Sequence, residues 1–471
     1  MEKLAEGIAT LNQLVGGFVW GPVMIGFLLL AGLYFTVGTG FFQFRRFGLW
    51  LRGTLFAIFR SPDVRDRRDP GAISQFQALA TALAGTIGTG NIVGVATAIT
   101  AGGPGAIFWM WISALVGMMT KYAENVLGNR YRYRDAQGKW VGGPMVYIER
   151  GLGCRWLAVL FAVFCAAASF GIGNMTQANS ISGALASSFG LSPLAVGIAV
   201  ATLAGVVILG GIKRLASVTE RLVPFMAVTY TLGGVLIICL NWRGIPAAFS
   251  AILSDAFTLR AAGGGAVGFI LSDAVRYGVA RGVFTNEAGL GSSVIVNSAS
   301  NVKEPVRQGM WGIFEVFFDT IVMCTITALA ILTSGAHLLG GDGAELAIAA
   351  FSSGFGRFGG VFITLAVCCF AFATILGWSY YGERAVDYLF GARARIGYRL
   401  CFIGMTVVGC VGSLQLVWSV SDTFNGLMAL PNLIAVLLLS PEVFAATRDY
   451  LGRIKKGGPS HEIRRHSARR G

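Results

Sequence analysis

The sequence predicts an all-α polytopic membrane protein of about 11 transmembrane helices. They form two five-helix blocks of opposite orientation behind one extra N-terminal helix. Three observations carry this. Of 471 residues, 55% are apolar and only 13% charged, whereas soluble domains are about one quarter charged. The apolar residues fall in unbroken runs close to the ~20 residues that cross a bilayer as a helix. The second and seventh runs are interrupted by glycine, five spans apart.

A water-soluble enzyme and a disordered chain are excluded by this composition, and by a mean hydropathy of +0.67. An outer-membrane barrel would show short alternating segments. The net charge of +14 comes from 37 Lys+Arg against 23 Asp+Glu. These basic residues lie between apolar runs, which points to cytoplasmic loops and anionic lipid rather than nucleic acid. The eight cysteines form no CxxC pair and read as small buried hydrophobes. Two of the three histidines, His461 and His466, lie in the polar tail and leave only His337, which argues against a bis-histidine haem. No Walker A run exists, so ATP is not expected by that route. No short cleavable signal is evident.

The apolar runs are 18–38, 74–102, 106–127, 156–188, 193–211, 218–240, 262–298, 309–334, 359–380, 398–416 and 424–446. The first is the extra helix (1–40). The stretch 41–73 carries Arg45, Arg46, Arg52, Arg60, Arg65, Arg67 and Arg68, the strongest basic cluster, and should be cytoplasmic. The N-terminus then lies outside. The loops holding Arg130, Lys213, Lys303 and Arg384 fall inside, as does the basic tail 448–471. Residues 74–240 form the first five-helix repeat. An outer connection, 241–261, leads to the second and inverted repeat, 262–447. The expected location is the cell inner membrane, multi-pass.

Run 74–102 contains Gly85-Thr86-Ile87-Gly88-Thr89-Gly90-Asn91, a poor helix interior. Unwound backbone inside a membrane must face protein or a cavity. Here it would offer N–H groups to an anion at the start of the outer half-helix. It would offer carbonyls near Ala84 and Ile87 to a hard cation such as Na⁺. Close helix packing is the alternative, since Gly90 and Gly94 make a GxxxG pair. A dinucleotide fingerprint fails because Val93 stands where the third glycine belongs. Run 262–298 holds Gly263-Gly264-Gly265, then Gly278-Val279-Ala280-Arg281-Gly282; its break is expected at 278–282. Broken helices at matching positions of two inverted blocks mark a midplane binding site.

Within run 156–188, Phe170, Asn174 and Gln177 share a helical face. They line a cavity or pair with neighbouring helices. Thr374 and Trp378 are likewise four apart; either the hydroxyl serves a cation and the indole walls a pocket, or both are packing. Lys121 and Glu124 read as a structural pair near the interface. Asp273, Glu287, Glu315 and Asp319 are intramembrane acids and so candidates for proton coupling or gating.

Four runs appear in order: Gly88-Thr89-Gly90-Asn91, Gly102-Gly103-Pro104-Gly105, Gly142-Gly143-Pro144-Met145-Val146-Tyr147 and Asn286-Glu287-Ala288-Gly289-Leu290-Gly291. Together they resemble the alanine or glycine:cation symporter family, from about Phe18 to Tyr450. The resemblance implies a leucine-transporter-like fold with one extra helix. It also implies Na⁺-driven uptake of a small neutral amino acid, alanine or glycine, and neither an enzyme nor an ATP-driven pump. By the same resemblance Gly88, Thr89, Gly90 and Asn91 hold the substrate's carboxylate and ammonium region. Phe170, Gln177 and Trp378 line its pocket, and Ala84, Ile87, Ala371 and Thr374 form a Na⁺ site. An H⁺-coupled carrier is the alternative, and an ion channel a more distant one.

Overall fold

The computed structural model describes residues 2–257, 273–412 and 415–456 and is nearly all helical. The Gly263-Gly264-Gly265 run, Arg260, and the tail with His461, Arg464, Arg465 and His466 lie outside the described residues.

Among the described residues, eight helices are long and apolar enough to cross a membrane: Thr10–Gly38, Gly105–Tyr131, Arg155–Phe189, Gly211–Leu240, Pro305–Thr333, Arg357–Phe390, Ala394–Val411 and Ser419–Leu438. The remaining three predicted spans are the broken pair Gln75–Thr86 and Val93–Gly102, the short helix Pro193–Ile208, and the seventh segment. That last segment is described from Asp273 as the helix Asp273–Asn286. A two-stranded hairpin pairs Tyr133–Arg134 with Trp140–Val141.

The polarity is that of a protein dissolved in lipid. Leu203, Phe225, Leu232 and Leu365 are exposed, while Lys121, Glu124, Asn91, Asn174, Glu315 and Asp319 are buried. Polar groups removed from lipid in this way must find partners inside the bundle.

Local chemistry sets the helix ends. Ser74 caps Gln75–Thr86 and forms a reciprocal pair with Gln77: each side chain accepts from the other's backbone N–H at 3.2 Å. Proline opens the helices at Pro22, Pro144, Pro193 and Pro305. The predicted final span, 424–446, is two helices, Gln415–Leu438 and Ser440–Lys455. Pro441 lacks the N–H that would carry the ladder across the join. The basic stretch after the first span also folds, as Phe42–Arg45, Phe47–Gly53 and Leu55–Arg60, with Trp50 wholly buried.

The break of the seventh segment is not at 278–282. Helix Asp273–Asn286 runs through those residues, and the chain unwinds at 287–293. Glu287, Gly289 and Gly291 take φ of +55°, +91° and +76°, the left-handed region that only glycine occupies freely. The glycines at 278 and 282 serve close packing. A Cβ on Gly278 would lie 2.3 Å from the Ala106 carbonyl oxygen, and one on Gly282 2.4 Å from Ser113 Oγ. They let this helix press against Gly105–Tyr131.

Candidate functional site

The first broken helix opens where its ladder changes partners. Ile87 N–H still donates to Leu83 O at 2.7 Å. The next donor, Gly88 N–H, turns instead to Asn91 Oδ1 at 3.0 Å, which releases the Ala84 carbonyl from the turn it would have closed. A 3₁₀ turn, Thr89–Asn91, then leads into Val93–Gly102. Gly88 is extended, so glycine is needed there for space and not for its dihedrals. An added Cβ would sit 2.5 Å from Thr374 Oγ1 and 3.7 Å from Gln177 Oε1. On Gly90 it would meet Thr285 Cγ2 at 2.7 Å.

The two unwound segments border one small cavity. Gly88, Thr89 and Gly90 line it with Gly85 and Thr86; Gln177, Thr374 and Trp378 complete the predicted part of the wall. Phe284 and Thr285 line it from the last turn of helix Asp273–Asn286 and Glu287 from the break that follows; Ile172 comes from the span that carries Gln177, and Asn425 from Gln415–Leu438. Its free space, about 20 Å³, is near the roughly 10–15 Å³ that one water needs on the same measure. A ligand here must be small and must push the walls apart.

The wall is ordered. Thr89 Oγ1 donates to Gln177 Oε1 at 3.2 Å, and Gln177 Nε2 donates to Ile172 O at 3.0 Å. Thr374 Oγ1 donates to Phe370 O at 3.1 Å, so its lone pairs remain free to accept or to ligate. Thr86 Oγ1 and Asn425 Oδ1 are buried with no hydrogen-bond partner among the described residues. Buried polar groups are nearly always paired, so these two atoms are open to a polar group that enters the cavity.

Sequence reasoning did not single out Phe284, Thr285 and Asn425 for this wall. Thr285 directly precedes the quoted Asn286–Gly291 motif. Asn425, an amide within an apolar span, was the available signal.

Three groups of predicted residues lie elsewhere. Asn91 is wholly buried and is not among the described lining residues. Its Nδ2 donates to Asp319 Oδ1 at 2.8 Å and to Asp319 O at 3.2 Å, while its Oδ1 holds Gly88 N–H. It therefore clamps the unwound turn from behind. Phe170 packs on Tyr398 and Phe402, with ring centroids 5.2 and 5.9 Å away, and is also off the cavity. The cause is a π-helical turn at Gly171–Met175. Its extra residue breaks the α-helical phase. Asn174 Nδ2 thus reaches Phe402 O at 2.6 Å, while Gln177 swings to the cavity.

Ala84, Ile87 and Ala371 are buried and are not among the described residues lining the cavity. A Cβ on Gly377 would lie 2.7 Å from Gly85 N and 3.3 Å from the Ala84 carbonyl carbon. That close approach brings the Ala84 backbone beside the helix that carries Ala371 and Thr374. A carbonyl freed from its ladder and a hydroxyl with open lone pairs are oxygen ligands of the kind Na⁺ takes. Lys121 pairs not with Glu124 but with Glu315, at 3.4 Å, both fully buried.

A model of the sodium:alanine symporter family matches residues 5–464. The chain is 44% identical over 468 residues to the sodium/alanine symporter AgcS of Methanococcus maripaludis, covering 98% of this chain and 99% of that one. It is 39% identical over 461 residues to the probable sodium/glutamine symporter GlnT of Bacillus subtilis, covering 97% and 93%. Among solved structures it resembles MhsT in complex with L-phenylalanine, with a TM-score of 0.60 at 15% identity, over 80% of this chain and 92% of that one. The fold is thus leucine-transporter-like.

Proposed function

The chain belongs to the sodium:alanine symporter family, a membrane transporter and not an enzyme, and from that premise we propose that it moves a small neutral amino acid, alanine or glycine, into the cell on the Na⁺ gradient. The observation that carries the reading is the cavity between two unwound segments, with Thr86 Oγ1 and Asn425 Oδ1 left unpartnered beside it.

In this reading the substrate carboxylate sits at the N–H groups of Thr89 and Gly90, where the 3₁₀ turn and the following helix present their positive end. Its ammonium is left to the acceptors of the cavity, among them Thr86 Oγ1 and Asn425 Oδ1. Na⁺ takes the carbonyls of Ala84, Ile87 and Ala371 with the Thr374 hydroxyl. Trp378, Ile172 and Phe284 bound the side-chain pocket, and one surplus methylene in such a pocket costs about 1–3 kcal/mol. Asn91 acts through Gly88 as a positioning residue. The chain lies in the cell inner membrane with its N-terminus outside and its basic tail in the cytoplasm.

The test is radiolabelled alanine uptake into proteoliposomes. An inward Na⁺ gradient should drive transient accumulation above equilibrium, and a K⁺ gradient should not. Accumulation driven only by a pH gradient, or none under either gradient, contradicts the proposal.

A further inference from the structure

Behind the cavity the bundle holds a second polar cluster that the transport reading leaves unused. Lys121 and Glu124 come from Gly105–Tyr131, Glu315 from Pro305–Val316, and Glu287 from the second break. All four are at most 2% exposed. Lys121 Nζ donates to Ser293 Oγ at 2.8 Å and to Glu287 O at 3.2 Å, and pairs with Glu315 Oε1 at 3.4 Å. Asn297 Nδ2 donates to Glu315 Oε2 at 3.1 Å. Asn432 Nδ2 donates to Glu124 Oε1 at 2.5 Å, Tyr147 donates to Asn432 Oδ1, and Ser292 Oγ donates to Glu287 Oε2.

The charges do not balance. Lys121 and Glu315 neutralise each other. Glu124 and Glu287 remain, each held on one oxygen by a neutral donor. Glu124 Oε2 is buried with no hydrogen-bond partner among the described residues. The other titratable groups facing the cluster are Asp319 one turn beyond Glu315, Tyr147, Tyr381 from Arg357–Phe390, and Cys165 from Arg155–Phe170. Asp319 is occupied by Asn91 and Thr320. None of these adds a cation. Carboxylates without a cation inside a membrane are costly, and such acids mark ion or proton sites. Na⁺ needs a shell of several oxygens, whereas each of these carboxylates is already served by an N–H or O–H donor. A proton, which needs only one oxygen, suits these carboxylates.

The two acids differ in access. Glu124 is enclosed. Glu287 lines the substrate cavity, and its carbonyl anchors Lys121. We propose that the Lys121–Glu124–Glu287–Glu315 cluster is a proton-binding site in which Glu287 exchanges its proton through the substrate cavity, so that protons regulate transport. This rests on the reading of that cavity as the substrate site. The step forms one O–H bond on the Glu287 carboxylate and breaks one O–H bond of a hydronium ion, which leaves as water; reversal returns the proton.

Infrared difference spectroscopy of the lipid-reconstituted protein, titrated with acid, reads the carboxylic-acid C=O stretch directly. The expected result is a titrating band in wild type that shifts on adding alanine with Na⁺, is absent in Glu287→Gln and persists in Glu124→Gln. Glu287→Asp should move the band without abolishing it, and serves if the amide variant does not fold. Na⁺-driven uptake should change severalfold with pH in wild type and less than about twofold in Glu287→Gln. A titrating band unaltered by substitution at Glu287, or a wild type without one, overturns the proposal. A band that behaves as expected in a protein without Na⁺-driven uptake keeps the proton site and overturns the transport reading instead.

Discussion

Gly88→Ala tests the geometry of the break with a single methyl group. The added Cβ would lie 2.5 Å from Thr374 Oγ1, with Thr374 Cβ at 3.6 Å and Gln177 Oε1 at 3.7 Å. Only the first contact is impossible; the others are ordinary van der Waals distances. The hydroxyl must rotate off Phe370 O, or the turn must shift. Either is overpacking, which costs about 1–3 kcal/mol, or roughly a 5–150-fold change in an equilibrium constant. Thr374→Ala removes the clashing atom, so the double variant should regain most of the lost stability. The assay is thermal unfolding of purified protein in Na⁺-free buffer, where Thr374 cannot act through a bound ion. Gly88→Ala should lower the midpoint, and Thr374→Ala in that background should raise it again. An additive pair, with no recovery in the double variant, would refute the contact and the placement of Thr374 against the unwound turn.

Three further outcomes follow from the site. Asn91→Ala frees Gly88 N–H and leaves Asp319 short of a donor; losing buried partners costs about 1–3 kcal/mol, so alanine Kd in a binding assay should rise roughly 5–150-fold without loss of expression. Trp378→Phe widens the pocket and should shift competition by larger amino acids about tenfold in their favour, at about the worth of a methylene. Phe170→Leu should leave alanine Kd within about twofold, since Phe170 packs on Tyr398 and Phe402 and does not line the cavity.

The sequence made most of the membrane architecture legible, because hydropathy and chain direction are linear properties. Span number, the two broken segments and the position of the first break all follow from runs of residues. The second break lies at 287–293 and not at 278–282 because glycine has two uses. At 278 and 282 it lets two helices touch, and at 289 and 291 it permits a left-handed turn. Composition alone does not separate the two. Phe170 falls off the cavity for a related reason. The i, i+4, i+7 rule assumes an unbroken α-helix, and the π turn at Gly171–Met175 shifts the phase. The residue type of Asn91 fits a ligand-binding role, but its partner Asp319 lies 228 positions away, beyond any local pattern. The pairing of Lys121 with Glu315 was hidden in the same way. Glu124, three residues from Lys121, looked like the natural partner, whereas tertiary packing supplied a carboxylate from another helix.

In the proposed transport cycle, Na⁺ and substrate order the same unwound turn, Gly85–Asn91. Such ligands assist each other reciprocally, with coupling of about 5–150-fold. The direct measurement is alanine Kd with and without Na⁺, and Na⁺ Kd with and without alanine, in wild type and in Thr374→Ala. Wild type should show the same factor in both directions, and Thr374→Ala should reduce both together. Affinities that ignore each other in wild type, or a Thr374→Ala protein with full coupling, would contradict the shared turn.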